Sequence, residues 1–333
     1  MYGAYFALGT ALCWTISAVA FEAASRRVGS VPVNLIRLIA AFALLCGLNL
    51  LRFGQALPVS ASSMQWSYLL ISGVLGFFVG DLALFRAFVV LGARLSTLLM
   101  CLAPPIAAVT EWGWLGGEIT PVQVAGMIVT LVGVAWVVYE KPTQQPEPTP
   151  EPSDPAEPVH LIESEARLAS PSTTVLEIDA PRGALVGRIT PFAIFLGVTA
   201  AAGQGVGLVC TKIAMKAQPI DPFAATQIRI MAGIATFLGL VLVTRRVGDC
   251  GRALRNPRAM ALLMIGAISG PFLGVSLLNK AVELIPSGVA QTITSLVPVL
   301  IIPLSIWLGK DRVTWKAVIG ALVAVAGVAM LVR

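Results

Sequence analysis

The stretch APPIAAVTEWGWLGGEITPVQVAGMIVTLVGV, residues Ala103 to Val134, is answered 194 positions later by VPVLIIPLSIWLGKDRVTWKAVIGALVAVAGV, residues Val297 to Val328. Within this pair Pro104, Thr120, Gly126 and Gly133 fall on Pro298, Thr314, Gly320 and Gly327. The same shift carries Gly76, Gly80 and Ala87 onto Gly270, Gly274 and Ala281. A shift of 192 aligns Arg37 with Arg229, and one of 190 places Trp14 over Gln204 and Glu22 over Lys212, so only the first interhelical loop needs a gap. Apolar sequence raises chance matches among Gly, Ala and Leu, and the weight therefore rests on the prolines and arginines. The second half of the chain reads as a repeat of the first.

Composition sets the solvent. Of 333 residues, 57% are hydrophobic and 12% charged, with a mean hydropathy of +0.85, whereas a soluble domain carries about 25% charged residues. A water-soluble globule is excluded. Windows near the length that crosses a hydrocarbon core, roughly 20 residues, run from Tyr2 to Phe21, Val33 to Leu51, Ser67 to Val90, Leu95 to Trp114 and Pro121 to Tyr139 in the first half. In the second half they run from Thr190 to Cys210, Phe223 to Thr244, Ala259 to Leu278, Pro286 to Leu308 and Trp315 to Val332. Continuous apolar character favours helices, since barrel strands are shorter and alternate polar with apolar. Five windows per half is an odd number, so the halves must insert upside down relative to each other. The expected fold is an all-α integral membrane protein, ten transmembrane helices arranged as two inverted five-helix repeats over 1–139 and 189–333. The first window has no basic residue before it and reads as a retained helix rather than a cleaved signal.

Between the halves, 140–188 holds seven prolines from Pro142 to Pro158 and, up to Asp179, nine of the chain's 17 acidic residues. Such sequence buries too little apolar surface to offset chain entropy, and is expected to be a disordered acidic tether. Counting Lys and Arg in alternate loops gives fourteen against five, which places the tether and the Arg245–Arg258 loop in the cytoplasm and both termini outside. The net charge of +6 needs no nucleic-acid partner, because anionic lipid headgroups suffice.

Ionisable residues inside a span cost about 2.5 to 3.5 kcal/mol each and call for a partner or a watery cavity. Arg37 and Arg229 share one place in the two halves and either line a substrate path or snorkel. Asp81 and Arg86 form a structural pair or a binding site. Glu111 is a proton carrier or a hydrogen-bonded structural acid, and Asp81 is the other acid that could couple protons. Glu22 and Lys212 at helix ends, and Lys280 with Glu283 late in the eighth span, complete the set. Trp14 and Gln204 could offer an aromatic and an amide contact, although Trp on an apolar helix usually packs. The expected substrate contacts are thus Trp14, Arg37, Asp81, Arg86, Gln204, Arg229 and Lys280, between the first, third, sixth and eighth helices. Gly76 with Gly80, and Gly270 with Gly274, are spaced for close helix approach. Pro104, Pro105 and Pro298 interrupt the fourth helices and free carbonyls at mid-membrane. The five cysteines are scattered and the one histidine, His160, lies in the tether. No metal, cofactor or catalytic constellation follows from them.

The two quoted stretches, with the paired five-helix halves, resemble the EamA-type transporters of the drug/metabolite transporter superfamily. Leu115, Gly116, Gly117 and Glu118 match that family's LGE turn with one inserted glycine, while Leu308 and Gly309 are followed by Lys310 and Asp311, displacing the acid by one. The resemblance implies a ten-helix basket around a central cavity, alternating access, and export of small metabolites such as amino acids, drugs or sugars across a bacterial inner membrane. The competing functions are a membrane scaffold or receptor that works through its tether, and a lipid-modifying enzyme, for which no catalytic cluster is visible.

Overall fold

A computed structural model describes residues 2–58, 60–87, 99–116, 120–139, 191–297, 299–301 and 315–332. The expected tether at 140–188 lies outside the described residues, as do Arg94, Glu118, Pro298, Lys310 and Thr314. Among the described residues every regular element is helical. In chain order these are α1 (Tyr2–Val28), α2 (Ser30–Phe53), α3 (Ser63–Gly73), α4 (Ala103–Leu115), α5 (Pro121–Tyr139), α6 (Pro191–Ala217), α7 (Pro222–Val243), α8 (Val247–Leu254), α9 (Pro257–Ala267), α10 (Val275–Leu284), α11 (Ser287–Thr294) and α12 (Trp315–Val332). Among the described residues six helical spans, including Ser63–Ala87 and Pro257–Leu284, are long and apolar enough to cross a membrane, and shorter apolar helices accompany them.

Local chemistry sets the ends of these helices. Gly29, with φ of 86°, turns α1 directly into α2, a backbone state that costs glycine least. Ser62 and Gln65 close a reciprocal capping box on α3, satisfying two donors that the first turn would otherwise leave unpaired. Asp221 caps α7 by accepting from the Phe223 and Ala224 amides.

Two irregularities recur at the shift of 194. The π-helical turn Val74–Gly80 follows α3, and the π-helical turn Ile268–Gly274 joins α9 to α10. The first closes with the Asp81 amide on the Gly76 carbonyl, the second with the Val275 amide on the Gly270 carbonyl. Pro271, inside the second turn, has no N–H to donate to an α-helical ladder, and a wide turn accommodates that loss. Likewise the break at Cys101–Leu102, closed by the Leu102 amide on the Leu99 carbonyl, corresponds to the break at Ser295–Leu296, closed by the Leu296 amide on the Ile293 carbonyl. At the first break Pro104 occupies the opening turn of α4, where its missing donor is not needed.

Packing crosses between the halves. α1 lies chiefly against α9, the second π turn, α10 and α11, while α6 lies against α3, the first π turn and α4. α5 and α12 pair at close range: a Cβ on Gly133 would stand 2.4 Å from the Ala324 nitrogen, and one on Gly327 would stand 2.5 Å from the Thr130 nitrogen. Backbones this close exclude any side chain, so Gly133→Val is expected to cost about 1–3 kcal/mol through overpacking. Its thermal denaturation midpoint in detergent should fall clearly below that of Ala135→Val on the same helix, and equal midpoints would contradict the packing.

Candidate functional site

Among the described residues five charged side chains inside the spans are buried to 4–7% exposure: Arg37, Asp81, Glu111, Lys212 and Arg229. Charges so placed survive only with partners, and the helix packing supplies them in two groups.

The first group surrounds the end of the first π turn. Asp81 follows that turn directly and forms an ion pair with Arg37 of α2. Its other oxygen accepts from Gln204 Nε2 of α6 at 3.1 Å, and the same amide nitrogen reaches the Gly76 carbonyl at 3.3 Å. The wide turn thus offers a carbonyl and a carboxylate to one amide. The Arg37 guanidinium also stands 5.1 Å from the Phe21 ring and 5.8 Å from the Phe85 ring. Arg229 of α7 donates to Asn279 Oδ1 of α10 at 2.9 Å and lies 5.3 Å from the Phe77 ring. Asn279 in turn donates to Thr226 Oγ1 at 2.9 Å. Among the described residues Asp81 is the one carboxylate bonded to this group, which carries two guanidiniums, and the buried Nε of both Arg37 and Arg229 has no hydrogen-bond partner there. Gln291 of α11 reaches the Gln204 carbonyl at 3.5 Å.

The second group sits two turns further along α6, about 12 Å by helical rise. Lys212 Nζ lies 2.6 Å from Glu111 Oε1 of α4 and donates to the Ile285 carbonyl at 2.7 Å. Glu111 Oε2 accepts the Ser287 amide at 2.5 Å. Three segments meet here: α4, α6 and the Ile285–Pro286 junction that begins α11. The same end of the bundle carries the Arg52–Asp221 ion pair, at 3.0 Å, and the bond from Gln65 Nε2 to the Gln218 carbonyl, at 2.9 Å.

The residues singled out in the sequence separate as follows. Arg37, Asp81, Gln204 and Arg229 come together. Asp81 pairs with Arg37 from another helix and not with Arg86, which is half-buried five residues further on. Trp14 packs its indole against the second π turn, where a Cβ on Gly274 would come within 2.6 Å of Trp14 Cδ1. It meets that turn as Gln204 meets the first. Lys280 is apart from the buried group, paired to Glu283 at 2.9 Å with both side chains over a third exposed. Asn279, Gln291 and the Lys212 partnership with Glu111 were not anticipated. Their signal is a polar residue inside an otherwise apolar window. The buried Asn49–Gln227 pair, 2.6 Å apart, carries the same signal.

The EamA-like transporter family model matches residues 1–139 and 191–333, and the chain belongs to that family. It is an integral, multi-pass membrane protein of transporter type. Twenty-eight solved chains match it in structure. One, described only as the crystal structure of a protein, superposes with a TM-score of 0.68 over 98% of this chain and 95% of its own at 13% identity, a likeness that shows the fold alone. Comparison with the curated proteins gives no match.

Proposed function

We propose that this protein is a secondary transporter that exports small metabolites, such as amino acids or drugs, by alternating access of two inverted five-helix repeats, ten transmembrane helices in all. The observation that carries the reading is the buried group on Asp81, built where α2, α6, α7 and α10 converge on the first π turn. A structural ion pair needs one cation per carboxylate. Here a second guanidinium remains, and a substrate carboxylate would complete it with charge-assisted hydrogen bonds. That favours amino acids and other carboxylates over sugars or cationic dyes. Interrupted or widened helices at such a site are a recurring device of repeat-built carriers, and the shift of 194 between the two π turns supports the repeat.

In this reading Trp14 and Arg86 flank the path, and the Glu111–Lys212 group is a latch at the end that the basic-loop count assigns to the outside. Asp81 and Glu111 are the acids available for proton coupling, in a bacterial inner membrane. The test is counterflow in proteoliposomes of amino acids, sugars and cationic dyes, with and without a pH gradient, for the native chain, Arg37→Ala and Arg229→Ala. Saturable flux of carboxylates, reduced at least tenfold in Arg229→Ala with the protein still monodisperse, is the expected result. Flux of no compound would sink the carrier reading. Flux indifferent to the gradient and intact in Asp81→Asn and Glu111→Gln would remove proton coupling alone.

A further inference from the structure

At the end of the bundle opposite the Glu111–Lys212 group, the short helix α8 lies across α1, α2 and α9. Its Ala253 is buried with Phe21, Ala24, Val33, Ile36 and Leu263, which fixes the helix in place. Beside it, Arg27 from the end of α1, Arg252 and Arg255 from α8 and its C-cap, and Arg258 from α9 line an open hollow of about 440 Å³ together with Asn256 and Pro257. Asn256 Oδ1 caps α9 by accepting the Ala259 amide at 3.0 Å, so the positive end of that helix also faces the hollow. Among the described residues the acid bonded to these arginines is Asp249, 2.5 Å from Arg252. Four guanidiniums on three elements, with α8 anchored by Ala253 and one carboxylate bonded to them among the described residues, make a shallow, open site whose chemistry suits phosphate oxygens, which guanidinium binds bidentately.

We propose that this hollow binds the phosphate of an anionic phospholipid. A free phosphate would satisfy the guanidiniums equally well, but Val247 and Leu254 on the same short helix are 55% and 57% exposed. A lipid covers both features at once, its headgroup among the arginines and its acyl chains along the apolar side chains. The hollow also lies at the ends of α1 and α9, where a membrane-spanning helix leaves the hydrocarbon.

The experiment is native mass spectrometry of the purified full chain after exchange against mixed vesicles of phosphatidylglycerol and phosphatidylcholine, followed by equilibrium titration of each lipid. Selective retention of phosphatidylglycerol is expected. Each arginine at an anionic surface is worth roughly fivefold, so Arg252→Gln/Arg255→Gln/Arg258→Gln should weaken binding on the order of a hundredfold, and Arg27→Gln alone roughly fivefold. The single variant keeps the test valid should the triple variant fail to fold. Equal retention of phosphatidylcholine, or full anionic-lipid binding by Arg27→Gln and the triple variant, would overturn the proposal. Inorganic phosphate alone binding as tightly as the lipid would assign the hollow to a soluble anion and overturn it as well.

Discussion

Asp81→Leu is expected to destabilise the protein by about 3–5 kcal/mol and to end transport, because it strands the buried Arg37 guanidinium without its carboxylate partner. The informative comparison is Arg37→Met/Asp81→Leu. Asp81 pairs with Arg37 directly, while Arg229 has its own contact in Asn279. Removing Arg37 and Asp81 together deletes one positive and one negative charge and leaves the net charge of the group unchanged. Replacing both members of a buried pair by apolar side chains is often neutral, so the double variant should regain most of the denaturation midpoint lost by Asp81→Leu. Transport should stay lost, since Gln204 would keep only the Gly76 carbonyl of its two acceptors. A double variant that regains both stability and flux would mean that the ion pair only holds the helices together.

Lys212→Met is the second variant with a large expected effect. The Lys212 ammonium ties Glu111 of α4 to the Ile285 carbonyl, and Glu111 holds the Ser287 amide. Charge-assisted hydrogen bonds of this kind contribute about 1.5–3 kcal/mol each. Ser287 is fully buried, so Ser287→Cys on a background lacking the five native cysteines reports opening through its reaction with a membrane-impermeant maleimide. Loss of the latch should raise that rate roughly ten- to hundredfold, and Glu111→Gln should act in the same direction. If reactivity is unchanged while flux disappears, the Lys212 group is a fixed anchor and the gate lies elsewhere.

Apolar windows were legible because they report the solvent, and Arg37, Asp81, Gln204 and Arg229 stood out because each is a polar residue inside such a window. What the sequence could not supply was partners across helices. Asp81 has Arg86 five residues away, yet its actual partner is 44 residues back on α2, a contact made by packing angles that spacing does not encode. Lys212 and Glu22 fall on one another at a shift of 190 in the sequence, and nothing local says that one of them reaches Glu111. Lys280 looked equally central, but three residues later Glu283 offers it a partner on its own helix face, at the surface. The Gly76–Gly80 spacing signalled close approach, whereas the widening of that segment into a π turn depends on backbone hydrogen-bond register. Only Pro271, inside the second π turn, hints at it.

The exchange of first helices between the halves bears on how the chain is made. α1 carries a face of small buried residues, Ala4, Ala7 and Ala11, whose partners in α9, α10 and α11 are synthesised more than 200 residues later. Until then that face has only lipid to meet, and the early half waits unfinished in the membrane. Biogenesis is therefore completed from the C-terminal side, and truncation after α5 should yield an inserted but unstable product. Co-expression of 1–139 with 189–333 as separate chains should restore it, because each fragment carries the missing wall of the other.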